Sequence, residues 1–281
     1  MSNWTLNGEV TNRLSIEDRG TQYGDGLFET VAIRSGEPRF WELHMARLAL
    51  GCERLAIDAP SATALHDELN RVLDLNTVDP AFAVAKIIVT AGQGPRGYRR
   101  PSGMTSTVAV GVFPSRPRPV EAYRDGVAVT VCQTRLAQQP QFAGIKTLNR
   151  LEQVIAQSEQ QVADVADGLM LDTDDRLICG TMSNVFVVNE KTVVAPAITR
   201  CGVAGTMRRK VMELVDTNAM DFEVRDVPVD ELNDCDEIFL SNSQFGVLPV
   251  TKCGKRRLPV GATTRRVMQL LADAGVLECR L

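Results

Sequence analysis

A lysine at position 146 is the residue whose type and surroundings suggest chemistry most directly. It follows the short apolar run "AGI" in the stretch "AGIKTLNRLEQV", residues 143–154. Apolar surroundings disfavour the charged form of an amine, and the neutral amine is the form that attacks carbonyl groups in Schiff-base catalysis. Lys146 is therefore a candidate nucleophile. From these residues alone, an ordinary solvated lysine is the alternative, because most lysines lie at protein surfaces.

Two further stretches contain residue types that bind anions. In "GVAGTMRRKV", Gly202 and Gly205 precede a helical pattern that begins near Thr206, and the amides of a helix N-terminus attract phosphate groups. In "FLSNSQFG", a strand-like run ends in the polar residues 241–243, whose side chains can bind an anion or cap a turn. Both stretches are also typical of plain turns, so both interpretations stay open at this point.

The composition argues against several classes of function. A formal net charge of -4 and a pI near 5.4 disfavour nucleic acid as a partner, since phosphate backbones select basic surfaces. The 7 cysteines are scattered and form no CxxC pair, so the sequence predicts neither a disulfide framework nor a zinc site. With His44 and His66 as the 2 histidines, other metal sites and a Ser/His/Asp triad are also disfavoured.

The sequence predicts a cytoplasmic protein. The first residues, "MSNWTLNGEV", lack a basic region followed by an apolar core, as a secretory signal would require. No apolar run approaches the roughly 18 residues of a membrane span, so no membrane association is expected. Cysteines without a disulfide pattern fit a reducing compartment.

The elements that would position the candidate residues begin with an N-terminal α+β domain at 1–114. Short apolar runs predict strands, and a stretch with helical spacing predicts a helix: "LFETVAIR", "AVAKIIVTAG" and "TSTVAVGVF" for strands, and "WELHMARLALGCERL" for the helix. Three prolines then fall within six positions of "PSRPRPVEAY", where neither a helix nor a central strand can continue. We therefore expect an interdomain linker at 115–122.

A larger C-terminal α+β domain carrying Lys146 is expected at 123–281. Its predicted strands are "GVAVTVCQT", "DGLMLD", "SNVFVV", "VVAPA" and "EIFLSNS", and its predicted helices are "LEQVIAQSEQQVA", "TMRRKVMELV" and "TTRRVMQLLADAG". Asn149 lies three residues before Glu152, the spacing of a capping box, which predicts a helix start directly after Lys146.

Seven blocks, taken together, resemble one family over nearly the whole chain. They are "DRGTQYGDGLFET" (18–30), "HMARL" (44–48), "GQGPRGY" (92–98), "AGIKTLNRLEQV" (143–154), "TMSNVF" (181–186), "GVAGTMR" (202–208) and "LSNSQFGVLPV" (240–250). In these blocks the sequence resembles the pyridoxal-phosphate enzymes of fold type IV. That family includes 4-amino-4-deoxychorismate lyases and the D-amino-acid and branched-chain aminotransferases. "RGY" at 96–98 and "GIKTLNRLEQ" are more particular to the lyases.

The resemblance implies a fold and an activity. The expected fold is the two-domain α+β fold of type IV, D-amino-acid aminotransferase-like, with pyridoxal 5'-phosphate in the interdomain cleft. The expected reaction converts the small molecule 4-amino-4-deoxychorismate to 4-aminobenzoate and pyruvate, for folate synthesis. The family also implies a homodimer.

The cofactor residues follow from matching positions. The resemblance implies that Lys146 binds the cofactor aldehyde and later moves a proton, and that Arg47 in "HMARL" binds the phosphate. A guanidinium group suits that task because it presents two donors side by side. The amides of Thr206 and Met207 match the phosphate cup, and Ser243 matches a hydroxyl at its rim.

The resemblance also assigns residues to the substrate side. Arg96 and Tyr98 lie on a loop rich in glycine and proline, where an arginine could hold a carboxylate of the substrate; a flexible surface loop is the alternative. Tyr23 and Phe28 match positions that line the cofactor cleft, although an aromatic residue in a strand usually belongs to the core. Thr30 is expected to relay a proton.

Cys179 departs from the family pattern. The family usually has a glutamate at this position, which keeps the pyridine nitrogen protonated. A neutral thiol cannot hold that proton, so the ring should be a weaker electron sink and transamination should suffer most. For Cys179 itself, the alternative is a small side chain that only fills space in the core. For the protein, the alternatives are a D-amino-acid or branched-chain aminotransferase and a catalytically silent binding protein with this fold.

Overall fold

The computed structural model describes residues 4–159 and 165–280. The chain divides into two compact units. Unit 1 comprises Met1–Arg116 and Ile145–Asn149, and unit 2 comprises Pro117–Gly144 and Arg150–Leu281. Each unit combines helices with a sheet, which confirms the predicted α+β class.

Unit 1 places its helices against a single described sheet. Its elements are β1 (Trp4–Leu6), β2 (Glu9–Val10), α1 (Arg19–Tyr23), β3 (Gly26–Arg34), β4 (Glu37–Pro38), α2 (Trp41–Arg54), α3 (Ala62–Leu75), β5 (Phe82–Thr90) and β6 (Thr107–Pro114). The strands lie in the order β2-β1-β6-β5-β3-β4, and neighbouring strands are antiparallel.

Alternation along the strands builds the core of unit 1. On β5 the residues Ala83, Ala85 and Ile87 are fully buried, in the same cluster as residues of α2 and α3. The intervening positions of β5 are only half-buried, as expected when successive side chains point to opposite faces. The sequence analysis did not predict helix α3. Ser61 caps this helix by accepting a hydrogen bond from the Ala64 amide at 3.1 Å.

Residues 145–149 belong to unit 1 because they extend its sheet beyond β3. The Phe28 amide donates to the Lys146 carbonyl at 3.0 Å, and the Leu148 amide donates to the Gly26 carbonyl at 2.9 Å. Ile145 is fully buried in the core of unit 1. The sequence-based boundaries assigned this segment to the C-terminal domain, because pairing across so many intervening residues leaves no local pattern.

Unit 2 contains a mixed sheet with helices. Its elements are α4 (Val120–Arg124), β7 (Val127–Leu136), α5 (Leu151–Ser158), β8 (Asp167–Asp172), β9 (Leu177–Gly180), β10 (Asn184–Asn189), β11 (Thr192–Pro196), α6 (Thr206–Thr217), β12 (Phe222–Arg225), a 3-10 helix (Val229–Asn233), β13 (Glu237–Asn242), β14 (Gly246–Cys253), β15 (Arg256–Arg257), α7 (Ala262–Asp273) and a 3-10 helix (Leu277–Cys279). The strands follow the order β12-β11-β10-β13-β14-β7-β8-β9, and β15 pairs with β14.

The capping box predicted after Lys146 is wrong. Helix α5 begins at Leu151, and no side chain caps it. The Asn149 side chain instead donates to the Gly24 carbonyl at 3.1 Å, and Glu152 accepts from the Ala137 amide at 2.8 Å. Both side chains therefore serve tertiary contacts. The last part of the predicted helix, residues 160–163, lies outside the described residues.

No helix in the described ranges is both long enough and apolar enough to cross a bilayer.

Candidate active site

Lys146 lies beside β3 with its amine against an aromatic ring. Its Nζ lies 4.2 Å from the centre of the Phe28 ring, and the side chain is half-buried. Lys86 on β5 approaches the same ring, with 5.1 Å between its Nζ and the ring centre. Two amines therefore lie close to one aromatic ring.

Thr30 occupies the same face of β3 as Phe28. The two residues are separated by one position in the strand, so their side chains point the same way. Thr30 also pairs in register with Lys86. The structure thus brings together three of the predicted site residues, namely Lys146, Phe28 and Thr30, and adds Lys86, which the sequence analysis did not select.

Arg47 is held by a carboxylate that sequence reasoning missed. Its Nε donates to Glu29 Oε1 at 2.8 Å, and its Nη2 donates to Glu29 Oε2. His44, three residues earlier on α2, places its Nδ1 2.6 Å from Glu29 Oε2. Glu29 is fully buried and His44 is 1% exposed. The guanidinium of Arg47 is therefore fixed by a buried ion pair before any ligand binds.

The charge states of this cluster follow from its surroundings. Burial alone would raise the pKa of Glu29, but the charge of Arg47 and the hydrogen bonds from both partners outweigh burial and lower that pKa to about 2. Burial also lowers the pKa of His44, against the opposing effect of Glu29. At neutral pH we therefore assign an ionised Glu29, a charged Arg47 and a neutral imidazole that donates through Nδ1.

Tyr23, Arg96 and Tyr98 form a separate group in unit 1. The Tyr23 hydroxyl accepts a hydrogen bond from the Gly97 amide at 3.0 Å. The rings of Tyr23 and Tyr98 meet edge to face with 5.5 Å between centres. Tyr98 is 87% exposed, and Arg96 is also exposed. The loop thus presents a cation and an aromatic ring on the surface of unit 1.

In unit 2, helix α6 begins in the glycine-containing loop that the sequence singled out. Thr206 and Met207 are the first residues of the helix, and both are buried. Gly205 is the N-cap residue, and having no side chain it caps no amide. The first amides of a helix have no partner within the helix, so this end of α6 can bind an anion through backbone donors.

Asn184 on β10 holds this loop in place. Its Oδ1 accepts from the Gly205 amide at 3.1 Å, and its Nδ2 donates to the Val203 carbonyl at 2.9 Å. A Cβ at Gly205 would lie 2.0 Å from Asn184 Oδ1, so glycine is the residue that permits this approach. The sequence analysis did not select Asn184, although it lies in the family block "TMSNVF" at 181–186.

Ser243 and Cys179 occupy other parts of unit 2. Ser243 follows the end of β13, is half-buried, and accepts a weak hydrogen bond from Gln244 Nε2 at 3.4 Å. Cys179 lies on β9 in a buried cluster with Cys132 and Cys201. Burial raises the pKa of the Cys179 thiol to about 12. The thiol is therefore neutral at physiological pH.

No cluster of His, Cys, Asp and Glu side chains within the described residues is arranged to hold a metal ion.

The sequence of the chain matches the model of a known family. The family model for amino-transferase class IV matches residues 26–253, which include Phe28, Arg47, Lys146 and the start of α6. The chain belongs to the amino-transferase class IV family. This finding, with the structural likeness below, confirms the fold type predicted from the sequence blocks.

Several class IV proteins are similar to the chain over almost its entire length. The aminodeoxychorismate lyase of Vibrio harveyi is 35% identical over 267 residues, 93% of this chain and 97% of that protein. A D-alanine aminotransferase of Bacillus licheniformis is 30% identical over 282 residues, 97% of each chain. The crystal structure of 4-amino-4-deoxychorismate lyase from Pseudomonas aeruginosa superposes with a TM-score of 0.91 at 43% identity, covering 97% of this chain and 99% of that one.

Proposed function

We propose that the protein is a pyridoxal-phosphate-dependent lyase that converts 4-amino-4-deoxychorismate to 4-aminobenzoate and pyruvate. The observation that carries the proposal is the amine of Lys146, placed against Phe28 by the backbone pairing of residues 146–148 with β3. The full-length similarity to two lyases supports this reaction over others in the family.

The donor groups of the chain fit this cofactor. Lys146 is the amine to bind the aldehyde. In unit 1, Arg47 offers a guanidinium group to a phosphate, and in unit 2 the first amides of α6 and the Ser243 hydroxyl offer further donors. The Asn184 side chain binds the loop directly before α6 at Val203 and Gly205 and so fixes where the helix begins. When bound, pyridoxal phosphate supplies an electrophilic aldehyde and a ring that withdraws electrons from the carbon next to the substrate nitrogen.

The residues of the chain then move protons. With its amine free, Lys146 would act through Nζ as a general base on the substrate ring carbon that bears the nitrogen. The hydroxyl of Thr30, on the same face of β3 as Phe28, would relay the proton taken up by Lys146 to the methylene of the enolpyruvyl group. Loss of pyruvate leaves an aromatic ring, and the stability of that ring favours elimination.

Arg96 and Tyr98 are proposed to bind the substrate. Their loop exposes a guanidinium group and a phenol ring, and the substrate carries two carboxylates that a guanidinium can bind with paired hydrogen bonds. We also propose that the protein is a homodimer in the cytoplasm. The 7 cysteines are all free, which fits a reducing compartment.

A D-amino-acid or branched-chain aminotransferase is the second candidate, favoured by the similarity to a D-alanine aminotransferase. The neutral, buried thiol of Cys179 argues against it, because transamination depends most on a protonated ring nitrogen. The two candidates differ in the product: 4-aminobenzoate for the lyase, and the amine form of the cofactor for the aminotransferase.

The first experiment tests the cofactor and its lysine together. The purified protein with added pyridoxal phosphate should absorb as an imine, and borohydride followed by peptide mapping should label Lys146. Lys146→Ala should abolish the label and turnover, whereas Lys86→Met, which changes the other amine near Phe28, should keep the label on Lys146. An unlabelled wild-type protein would favour the catalytically silent fold and overturn the proposal.

A further inference from the structure

The loop that carries Arg96 and Tyr98 is tied down at its start by the block "DRGTQYGDG". Asp18 forms an isolated bridge with Gln93, and the Arg19 amide donates to the Gly92 carbonyl at 2.9 Å. The Asp18 side chain also accepts from the Thr90 hydroxyl at 2.9 Å. The first residues after β5 are therefore anchored to the segment before α1.

Arg19 continues this anchoring into the middle of the loop. Its Nη1 donates to the Gly97 carbonyl at 2.8 Å, and its Nη2 donates to the Tyr98 carbonyl at 3.0 Å. Its Nε donates to Asp25 Oδ2 at 2.8 Å. The side chain is 4% exposed, so a buried guanidinium holds the backbone of the loop at two consecutive residues, Gly97 and Tyr98.

Arg100 closes the other end of the loop on the same carboxylate. Its Nε donates to Asp25 Oδ2 at 2.9 Å, and its Nη2 donates to Oδ1. Its Nη1 donates to the carbonyls of Leu55 and Ala56, the latter at 2.9 Å. Burial would raise the pKa of Asp25, but the two arginines outweigh it and lower that pKa. Asp25 thus joins two arginines that grip different ends of one loop.

Arg19, Asp25 and Arg100 form a clamp that fixes the backbone of the loop and leaves the side chains of Arg96 and Tyr98 exposed. Loops with several glycines and prolines are usually mobile, and ordering them on binding costs conformational entropy. Here charge-assisted hydrogen bonds, which are stronger than neutral ones, order the loop during folding. Arg96 and Tyr98 then face solvent on a fixed backbone, so a ligand would not have to order the loop.

We propose that Arg19, Asp25 and Arg100 are positioning residues that hold Arg96 and Tyr98 ready for a substrate bearing carboxylates. This inference rests on the proposed lyase function. A positioning role predicts an effect mainly on KM, because the reacting amine of Lys146 is held by a separate set of contacts with β3. Loosening the loop should therefore weaken substrate binding and leave the chemical step largely intact.

The chain offers a matched pair of variants for the test. Arg99 and Arg100 are adjacent, but Arg99 is exposed and makes no hydrogen bond or ion pair within residues 4–159 and 165–280. Arg99→Met and Arg100→Met remove the same charge from the same loop. We expect Arg100→Met to raise KM roughly ten-fold or more, the size expected for losing charge-assisted hydrogen bonds, with kcat within about two-fold of wild type.

Arg99→Met should leave KM within about two-fold of wild type. Arg100→Lys should restore part of the affinity, since it keeps the charge beside Asp25 but cannot reproduce the fork of hydrogen bonds. Equal KM values for the Arg99→Met and Arg100→Met variants would overturn the proposal.

Hydrogen–deuterium exchange provides a readout that needs no turnover. Residues 92–100 should be protected in the wild type and in Arg99→Met, and should exchange faster in Arg100→Met because the loop opens more often. Faster exchange without a change in KM would overturn the positioning role. A wild-type protein without lyase activity would refute the proposed function, whereas the exchange difference would still support the clamp.

Discussion

Arg47 is a single residue whose orientation is set by a buried ion pair. The two carboxylate oxygens of Glu29 accept hydrogen bonds from Nε and Nη2, which form one edge of the guanidinium group. His44 in turn binds the second oxygen of Glu29. A buried carboxylate of this kind is destabilising unless it is paired, so Glu29, Arg47 and His44 depend on one another. Breaking this cluster should affect both stability and its pH dependence.

Replacing Glu29 with glutamine should change the stability most at neutral pH. A carboxyl with a folded pKa below its unfolded pKa stabilises the fold above the unfolded value, and this contribution is lost as pH falls toward the folded value. For Glu29, whose pKa shifts from 4.5 to about 2, the contribution to the free energy of unfolding at neutral pH is roughly 3 kcal/mol. The wild type should therefore lose its advantage over Glu29→Gln as pH falls from 4.5 toward 2.

Urea unfolding at pH 7, 4 and 3 would measure this difference in the free energy of unfolding. Glu37→Gln, a change at an exposed glutamate on β4, serves as the control and should cost little at any of these pH values. A difference between the wild type and Glu29→Gln that stays constant down to pH 3 would contradict the assignment.

Cys179→Glu should increase aminotransferase side activity. A carboxylate at this position could hold a proton on a ring nitrogen, which the neutral thiol of Cys179 cannot do. Cys179→Gln has a similar size without the charge and is the matched control. The conversion of added D-alanine or a branched-chain amino acid can be followed by loss of the aldehyde absorbance. Equal rates for the two variants would refute this account of Cys179.

At the scale of elements, the loop before α6 depends on β10, a strand that lies earlier in the chain. Asn184 at the start of β10 binds the loop at Val203 and Gly205. The left-handed backbone of Gly202, with φ of 86°, turns the chain toward this contact. The position of the α6 amides is thus decided by β10 as well as by the helix itself.

Gly205→Ala should weaken the binding of pyridoxal phosphate more than that of pyridoxal, which lacks the phosphate. The added methyl group would lie 2.0 Å from Asn184 Oδ1 and would displace the loop that positions the α6 amides. Fluorescence titration with both compounds measures the two dissociation constants. In an Asn184→Ala background the effect of Gly205→Ala should shrink, since the clashing atom is absent. If Gly205→Ala has the same effect in both backgrounds, the clash with Asn184 is not its cause.

At the scale of the whole molecule, the predicted site residues are divided between the two units. Unit 1 contains Lys146, Arg47 and the Arg96 loop, and unit 2 contains Cys179 and the start of α6. Lys146 joins unit 1 through a segment that returns to β3 from far along the chain. The predicted linker at 115–122 spans the change of unit between Arg116 and Pro117.

The sequence by itself determined the local elements and the residue types that do chemistry. Short apolar runs and helical spacing predicted β3, β5, β8, α2 and α6 close to their observed bounds, because these patterns are set by neighbours within a few positions. The family blocks also predicted the fold type that the comparisons confirmed.

The tertiary structure alone decided which side chains meet. Glu29 meets Arg47 from 18 positions away, Asp25 meets Arg100 from 75, and Asn149 meets Gly24 from 125. Asn149 illustrates the limit, since its local spacing indicated a helix cap while its amide group binds a distant carbonyl. Such contacts form only when packing brings remote segments together, and their free energy comes from burial and pairing that no short stretch of sequence contains.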